Sequence, residues 1–450
     1  MAVVQISRIQ IRRGQKNTSS GLPQLASGEL AWAIDTQELY IGNGAVSEGA
    51  PYVGNTKIIT EQDNLLELVG SYQFAKNNPA IVTGPNANQP ILQNLQDVID
   101  QFVTASDFGV TGDGVTDDTV AIQRAIDQLF LNPAAYQAGV GATVDARTEL
   151  LFGPGNFVIT ETIYLPSYVF ITGSGSEHTI FQYQGDGVAF KFINANSSIG
   201  EYTTADMTLT NQPKNAILRD FTISCSSSLA SGMELNSVTN SKFDNISING
   251  SYLWDAEDYT IDTSRGQSGL VLVGGLKDAI NPTIPTTEKN IFNRISISNF
   301  AVCVRGDSNI SYNNFVACDF YHAFYGAVLG FGSGAPTNNV ISNSSFRYIN
   351  RVGIYLFDGT GNTSSKNTFE DVGNDGGHNN LNTYPIIYFG KKGNESANDS
   401  FDRSSALAID GFSNPFIPYK PEVAGVGYFT NSKVQQKSLP AALSLSLIHI

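Results

Sequence analysis

Cysteine is scarce in this 450-residue chain: Cys225, Cys303 and Cys318, with no CxxC pair and no metal-ligand spacing. An odd, scattered set argues against a disulfide framework and suits assembly in a reducing cytoplasm. Charge is thin as well, at 15% of residues, and it is lopsided: 26 basic against 41 acidic side chains leave a net charge of −15. That excess argues against a nucleic-acid partner or an anionic membrane surface. No hydrophobic run has the length of a membrane span, and MAVVQISRIQIRRG puts arginines where an export signal needs apolar residues. Neither membrane insertion nor a signal peptide is expected. Also missing are GxSxG, HExxH, a Walker loop and any Cys/His cluster, so no motif by itself specifies a reaction. The four histidines, His178, His322, His378 and His449, have no nucleophile-linked context.

What is abundant is Gly, Asn, Ser and Thr, the composition of many short strands joined by tight turns. In SDFGVTGDGVTDDTVAIQRAIDQLF (106–130), Gly109, Gly112 and Gly114 interrupt an apolar strand. Asp117 or Asp118 then caps a helix whose apolar side holds Val120, Ala121, Ile122, Ala125, Ile126 and Leu129. LLFGPGNFVIT (150–160) and YVFITGSGSEHTIF (168–181) read as short strands broken at sharp Gly and Pro turns.

Together these three motifs, in this order, resemble the start of the pectate-lyase-like right-handed β-helix superfamily, especially its members in bacteriophage tail spikes. The resemblance implies a mainly β parallel solenoid whose open N-terminal end is covered by the short helix, as terminal caps of repeat proteins require. The acidic residues of the GDGxTDDT run are then structural, because an N-cap and a tight turn need them there.

Ahead of these motifs, residues 5–44 form a separate unit, with strand alternation at Ile9 and Ile11, then Leu30, Trp32 and Ile34, and a hairpin turn at Asp35-Thr36-Gln37 before Leu39 and Ile41. Its GELAxxxDTxxLYIGNG pattern resembles the N-terminal β module of phage tail-fibre and tropism-determinant proteins, which implies attachment to phage baseplate or tail proteins. Arg8, Arg12 and Arg13 are a candidate docking patch or a solvated strand face. KNNPAIVTGPNANQP (76–90) is a linker, and Ile91, Leu95, Val98 and Phe102 follow at the a/d spacing of a short coiled coil. The resulting expectation is a virion-attachment module at 1–60, linker and helical neck at 61–104, β-helix at 105–425 and an irregular tail at 426–450. Tail-spike resemblance makes the neck the start of a homotrimer, located in the virion tail. The final AALSLSLIHI fits no repeat and looks like translated adapter read-through, so the natural protein is expected to continue further.

Apolar strand starts recur from 217 onward: ILRDFTI, FDNISI at 243, FNRISI at 292, FVACDF at 315, VISNSSF at 340 and FEDV at 369, with steps of 26, 49, 23, 25 and 29 residues. Fixed-period recurrence marks stacked coils, and the 49-residue step reads as two coils with one start disguised. A second series (SGMELN, SGLVLV, FAVCVR, YGAVLG, VGIYLF) alternates with the first and points Met233, Leu235, Leu270, Leu272, Val302, Val304, Ile354 and Leu356 inward. Asn240, Asn290, Asn314, Asn339 and Asn367 precede the first series and form a candidate structural turn ladder.

Position has to supply what motif does not. The insertion SYLWDAEDYTIDTSRG (251–266) sets Tyr252, Trp254 and Tyr259 beside Asp255, Glu257 and Asp258, the composition of a glycan groove: aromatic faces stack on sugars and carboxylates bond hydroxyls or move protons. A solvated loop whose aromatics pack on the coil has the same composition. A second candidate is the outward face around Asp319, Arg347, Glu370 and Asp371, with Asp375 and His378 on the next turn. Carboxylates on successive coils lie about 4.8 Å apart, near the separation used by retaining glycosidases. The expected catalytic set is therefore Asp255, Glu257, Asp258, Glu370 and Asp371, and the binding set Tyr252, Trp254, Tyr259, Arg347, Asp375 and His378. Arg305-Gly306-Asp307 reads as a turn at a strand end. The resemblance implies a bacterial capsular or lipopolysaccharide glycan as partner, cleaved by paired carboxylates without cofactor. Alternatives are a glycan-binding adhesin or structural tail fibre without catalysis, or a uronate lyase, the one case in which Ca²⁺ could take part.

Overall fold

The computed structural model describes residues 11–18, 21–49, 53–60, 98–99, 101–131, 148–252, 267–275, 285–331, 335–356, 359–372, 387–389, 394–402, 408–410, 428–430 and 433–435. The chain divides into two compact units, Met1–Gln101 and Phe102–Ile450. In the first, Arg12–Gly14 pairs in parallel with Leu30–Ala33, which pairs antiparallel with Glu38–Gly42, and Asn55–Ile58 completes the sheet. The hairpin turns at Asp35-Thr36-Gln37, with Gln37 left-handed at φ 54°. Its buried face is the opposite of the expected one: Leu25, Ala31, Ala33 and Tyr40 are buried, whereas Leu30 and Trp32 are half-buried and Ile34 is exposed. Small residues face inward because the sheet closes tightly over the preceding loop. A Cβ at Gly42 would lie 2.1 Å from the Ala26 carbonyl oxygen.

The second unit is a parallel β-helix, as the sequence motifs imply. Each coil contributes strand segments to three parallel ladders. Leu150, Ile171, Leu218, Phe243, Phe292, Phe315 and Ile341 succeed one another in the first. The second ladder stacks Phe157, Phe181, Ile223, Ile248, Ile297, Phe320, Phe346 and Phe369. The third stacks Ile163, Phe190, Met233, Leu270, Val304, Ala327 and Ile354. Because like residues fall in register one strand spacing apart, rings stack face to face, as in Phe243 on Phe292 (4.9 Å) and Phe346 on Phe369 (4.8 Å). Each such pair contributes about 0.5–1.5 kcal/mol beyond its buried area. Strands Tyr428–Thr430 and Lys433–Gln435 still pair in the first and second ladders.

Left-handed residues mark the corners. Tyr168, Asn215, Asn240, Lys289, Tyr312 and Asn338 precede the first ladder on successive coils; Asp220, Asn245, Arg294, Ala317, Asn343, Lys366 and Asn398 separate it from the second; Asn299, His322, Tyr348 and Asp371 separate the second from the third. Asparagine and aspartate dominate the second set because they tolerate positive φ at low cost.

The cap helix, Thr119–Ile126, buries Ile122, Ala125 and Ile126 and continues into a π turn, Asp127–Leu131, that buries Phe130; Val120 points to solvent, contrary to expectation. The two acids divide the work at its start. Asp117 Oδ1 accepts the Thr119 N–H at 3.0 Å, while buried Asp118 turns back to accept the N–H of Thr111 (2.8 Å) and of Gly112 (3.0 Å). Gln123 locks the helix to the solenoid by bonding Tyr164 N (2.8 Å) and Tyr164 O (3.2 Å).

Four expectations about the repeat are corrected. Phe243 pairs directly with Phe292, so the 49-residue step is a single coil carrying insertions rather than two coils. Phe369 of FEDV pairs with Phe346 in the second ladder, and the first ladder continues instead through Thr363–Ser365. The buried asparagine ladder runs through Asn290, Asn313, Asn339, Asn362 and Asn394; Asn290 Oδ1 accepts the Ser241 N–H, and each later Oδ1 accepts both the backbone and the side-chain N–H of the preceding member. Asn240 and Asn314 stand beside it, and Asn367 belongs to a separate buried row with Ser344 and Asp399. Val302, expected in the solenoid core, packs in a cluster on the outer side of the third ladder.

Candidate functional site

The outward face of the second ladder brings several expected residues together. Tyr321, Arg347 and Glu370 are register neighbours on three successive strands, and Asp402 follows Glu370 on the next. Arg347 reaches back to Asp319, with Nη2 donating to Oδ2 at 2.5 Å and Nε to Oδ1 at 3.2 Å, while Ser345 Oγ also donates to that carboxylate. This bidentate grip raises the Arg347 pKa and lays its guanidinium over the Tyr321 ring, 5.4 Å from the centroid. Both Asp319 oxygens are thus engaged, so its role in this arrangement is to hold Arg347. Asp371 occupies the left-handed corner after Glu370. His322 and Tyr348 sit at the same corner on the two preceding coils, with ring centroids 5.3 Å apart, and Tyr321 lies 5.5 Å from His322.

Around the corner, on the outer side of the third ladder, lies a second small core: Ala301, Val302, Phe324, Tyr325, Val328 and Val352, with Tyr252 and Tyr355 against it. Arg351 covers it, 5.5 Å from the Phe324 ring and 5.9 Å from that of Tyr325, and donates to Tyr325 Oη at 3.1 Å. Tyr252 is pinned there by its N–H on Asn299 O (2.9 Å) and its ring edge on Phe324 (5.6 Å), and burial raises its phenol pKa. Across the insertion, Gln267 O accepts the N–H of Ala301 (3.1 Å) and of Val302 (3.3 Å). Both roots of the aromatic-acid insertion therefore attach within a few residues of the corner. Trp254, Asp255, Glu257, Asp258 and Tyr259, and likewise Asp375 and His378, lie outside the described residues.

Other acids and thiols are bound into the fold. Arg305-Gly306-Asp307, expected as a turn, ends the long strand Ser296–Asp307, and Arg305 and Asp307 are buried and paired at 3.0 Å. Asp113 accepts the N–H groups of Val115 (2.9 Å) and Thr116 (2.7 Å) in its own turn, which holds its carboxyl below the usual range. Burial pushes the thiols of Cys225 and Cys318 up to about 12 and that of Cys303 higher still, so none is a nucleophile at neutral pH. Among the described residues no group of three or more His, Cys, Asp or Glu side chains is placed to hold a metal ion, and no helix is long and apolar enough to cross a membrane.

Sequence reading missed Tyr321, His322 and Tyr348. Their signal was present in YHAFY and RYIN, where aromatics stand at equivalent places of successive repeats.

A right-handed parallel β-helix with a polar, aromatic outer belt is the class these features define. The chain belongs to the rhamnogalacturonase A/epimerase, pectate lyase-like family, whose model matches residues 102–379, and residues 9–46 match the major tropism determinant N-terminal domain. Over 76 residues it is 40% identical to mannuronan C5-epimerase AlgE5 of Azotobacter vinelandii, and 38% identical to alginate lyase 7 of the same organism. That stretch is 17% of this chain and only 7% and 8% of those two proteins. Among solved structures, ORF18 of Geobacillus virus E2 aligns with a TM-score of 0.42 at 14% identity, covering 92% of this chain and 70% of that one.

Proposed function

We propose that this protein is a bacteriophage tail component whose β-helix binds a bacterial capsular or lipopolysaccharide glycan and cleaves it with paired carboxylates. The observation that carries the reading is the outward row Tyr321–Arg347–Glu370, one residue per coil, with Asp402 the register partner of Glu370 on the next strand and exposed His322 and Tyr348 alongside. Glu370 and Asp402 are backbone neighbours about 4.8 Å apart, which suits the separation of about 5 Å in retaining glycosidases. One would protonate the leaving oxygen while the other attacks the anomeric carbon, and Arg347 with Tyr321 would fix the sugar between them. The acids Asp255, Glu257 and Asp258 and the rings of Trp254 and Tyr259, rooted at Tyr252, would complete the groove from the insertion. Asp371, Asp375 and His378 would bound its far end.

The match to the tropism-determinant domain supports a role for residues 1–60 in joining phage baseplate or tail proteins, and so a location in the virion tail. The a/d spacing from Ile91 to exposed Phe102 supports a linker and helical neck within 61–104 and a homotrimer. Chemistry of this kind needs no cofactor.

Replacing Glu370 or Asp402 by the isosteric amide (Glu370→Gln, Asp402→Asn) should lower depolymerisation by about 10²–10⁴ while glycan binding survives. Full activity in both variants, and in Asp255→Asn, Glu257→Gln and Asp258→Asn, would sink the carboxylate mechanism. A second reading is favoured by Arg347, a cation held against a tyrosine: β-elimination of a uronate polymer, with the guanidinium stabilising charge that develops next to the carboxylate. That reaction yields an ultraviolet-absorbing unsaturated product and, if Ca²⁺ assists, is lost with a chelator.

A further inference from the structure

Tyr348 occupies a backbone conformation that bulky L-residues rarely adopt, φ 54°, and His322 on the preceding coil does the same at φ 50°. On the two flanking coils the same corner holds Asn299 and Asp371, short polar residues that tolerate that conformation. Tyrosine, lysine and arginine also hold this conformation singly at other corners (Tyr168, Tyr312, Lys289, Arg294), so what sets this corner apart is that ring side chains occupy it on two successive coils. These rings are not used as core: His322 is exposed and Tyr348 retains 44% of its surface. Exposed and adjacent on successive coils, the two rings, with centroids 5.3 Å apart and planes tilted by 48°, form a continuous aromatic surface on the outside of the solenoid.

We propose that the His322–Tyr348 corner is a sugar-stacking subsite, on which a glycan lies parallel to the solenoid axis with the apolar faces of its pyranose rings against the two side chains. This inference rests on the proposed glycan activity and names the platform and direction that activity uses. Tyr321, 5.5 Å from His322, and Arg347 flank the corner on the second-ladder side. They carry the polar groups that would bond the hydroxyls of the same chain. The acid row then stands beside the glycan rather than beneath it, which is where cleavage of a bond between stacked sugars needs it.

The test uses the full chain and the capsular or lipopolysaccharide preparation that the wild-type protein cleaves best. Tyr348→Asn installs the residue that Asn299 supplies at this corner, so its melting temperature should equal or exceed that of the wild type. Its KM for glycan should rise about five- to tenfold with kcat little changed, and the His322→Asn, Tyr348→Asn double variant should go further. Tyr348→Phe keeps the ring and should keep the wild-type KM. Tyr312→Asn, the same exchange at a different corner, should leave KM alone. An unchanged KM in the double variant would overturn the subsite, as would a lowered melting temperature in Tyr348→Asn, which would make the ring a structural element. Failure of the wild-type protein to bind or cleave any preparation would instead overturn the glycan reading beneath it.

Discussion

Asp399 is fully buried at a place where the two preceding coils carry Asn367 and Ser344. Its carboxyl accepts Ser364 Oγ at 2.7 Å, Ser396 Oγ at 2.6 Å and the Asn367 N–H at 2.7 Å, yet burial outweighs these bonds and raises its pKa. A carboxyl whose pKa is higher folded than unfolded binds protons more readily in the native state. Its contribution to stability is therefore complete below the unfolded value and is lost as pH rises through the folded one. Asp399→Asn restores the amide used elsewhere in these rows and should stabilise the protein at pH 7 by roughly 1 kcal/mol, with no gain at pH 4. Urea melts of both proteins at the two pH values measure this; equal differences at both would show that the carboxyl is already accommodated as the anion. No sequence pattern singled out Asp399, because its burial depends on a neighbour 32 residues back.

At the scale of elements, the asparagine ladder does what no single turn can. Asn339 Oδ1 satisfies two N–H groups of Asn313, at 3.0 and 3.1 Å, and its own Nδ2 donates to Ile310 O at 3.1 Å. Removing it orphans buried polar groups on the adjoining coil, each costing about 1–3 kcal/mol. Asn339→Ala should thus destabilise the protein by at least about 3 kcal/mol. Asn240→Ala, at an exposed left-handed corner, should cost under about 1 kcal/mol. Chemical denaturation distinguishes them, and similar losses would mean that the corner conformation, not the ladder, sets the cost. The sequence showed that asparagine recurs before strands but not which asparagine turns inward. Asn313 and Asn314 are adjacent, and a one-residue shift exchanges inside for outside.

For the whole molecule, the fold was legible because apolar residues recur once per coil and three terminal motifs fix where the solenoid starts. The site was less legible. Residues that meet on an outward face are separated by one coil of sequence, 23 to 49 residues here, and insertions alter that interval without altering the contact. Arg347 and Glu370 were found from their charge, whereas the aromatic corner needed the backbone conformation that the structure supplies. The same geometry shows how a chain of net charge −15 can present a guanidinium to a glycan: Asp319 holds Arg347 through Nε and Nη2 and fixes it on the outward face. The central claim, that this belt acts on bacterial surface polysaccharide, is tested most directly by incubating the purified protein with capsular and lipopolysaccharide preparations from a panel of hosts. Reducing ends and the ultraviolet absorbance of unsaturated uronate are followed together with binding. New reducing ends from at least one preparation, without absorbance, are the predicted result; absorbance alongside them would select elimination instead. A protein that neither binds nor cleaves any of them would contradict the account.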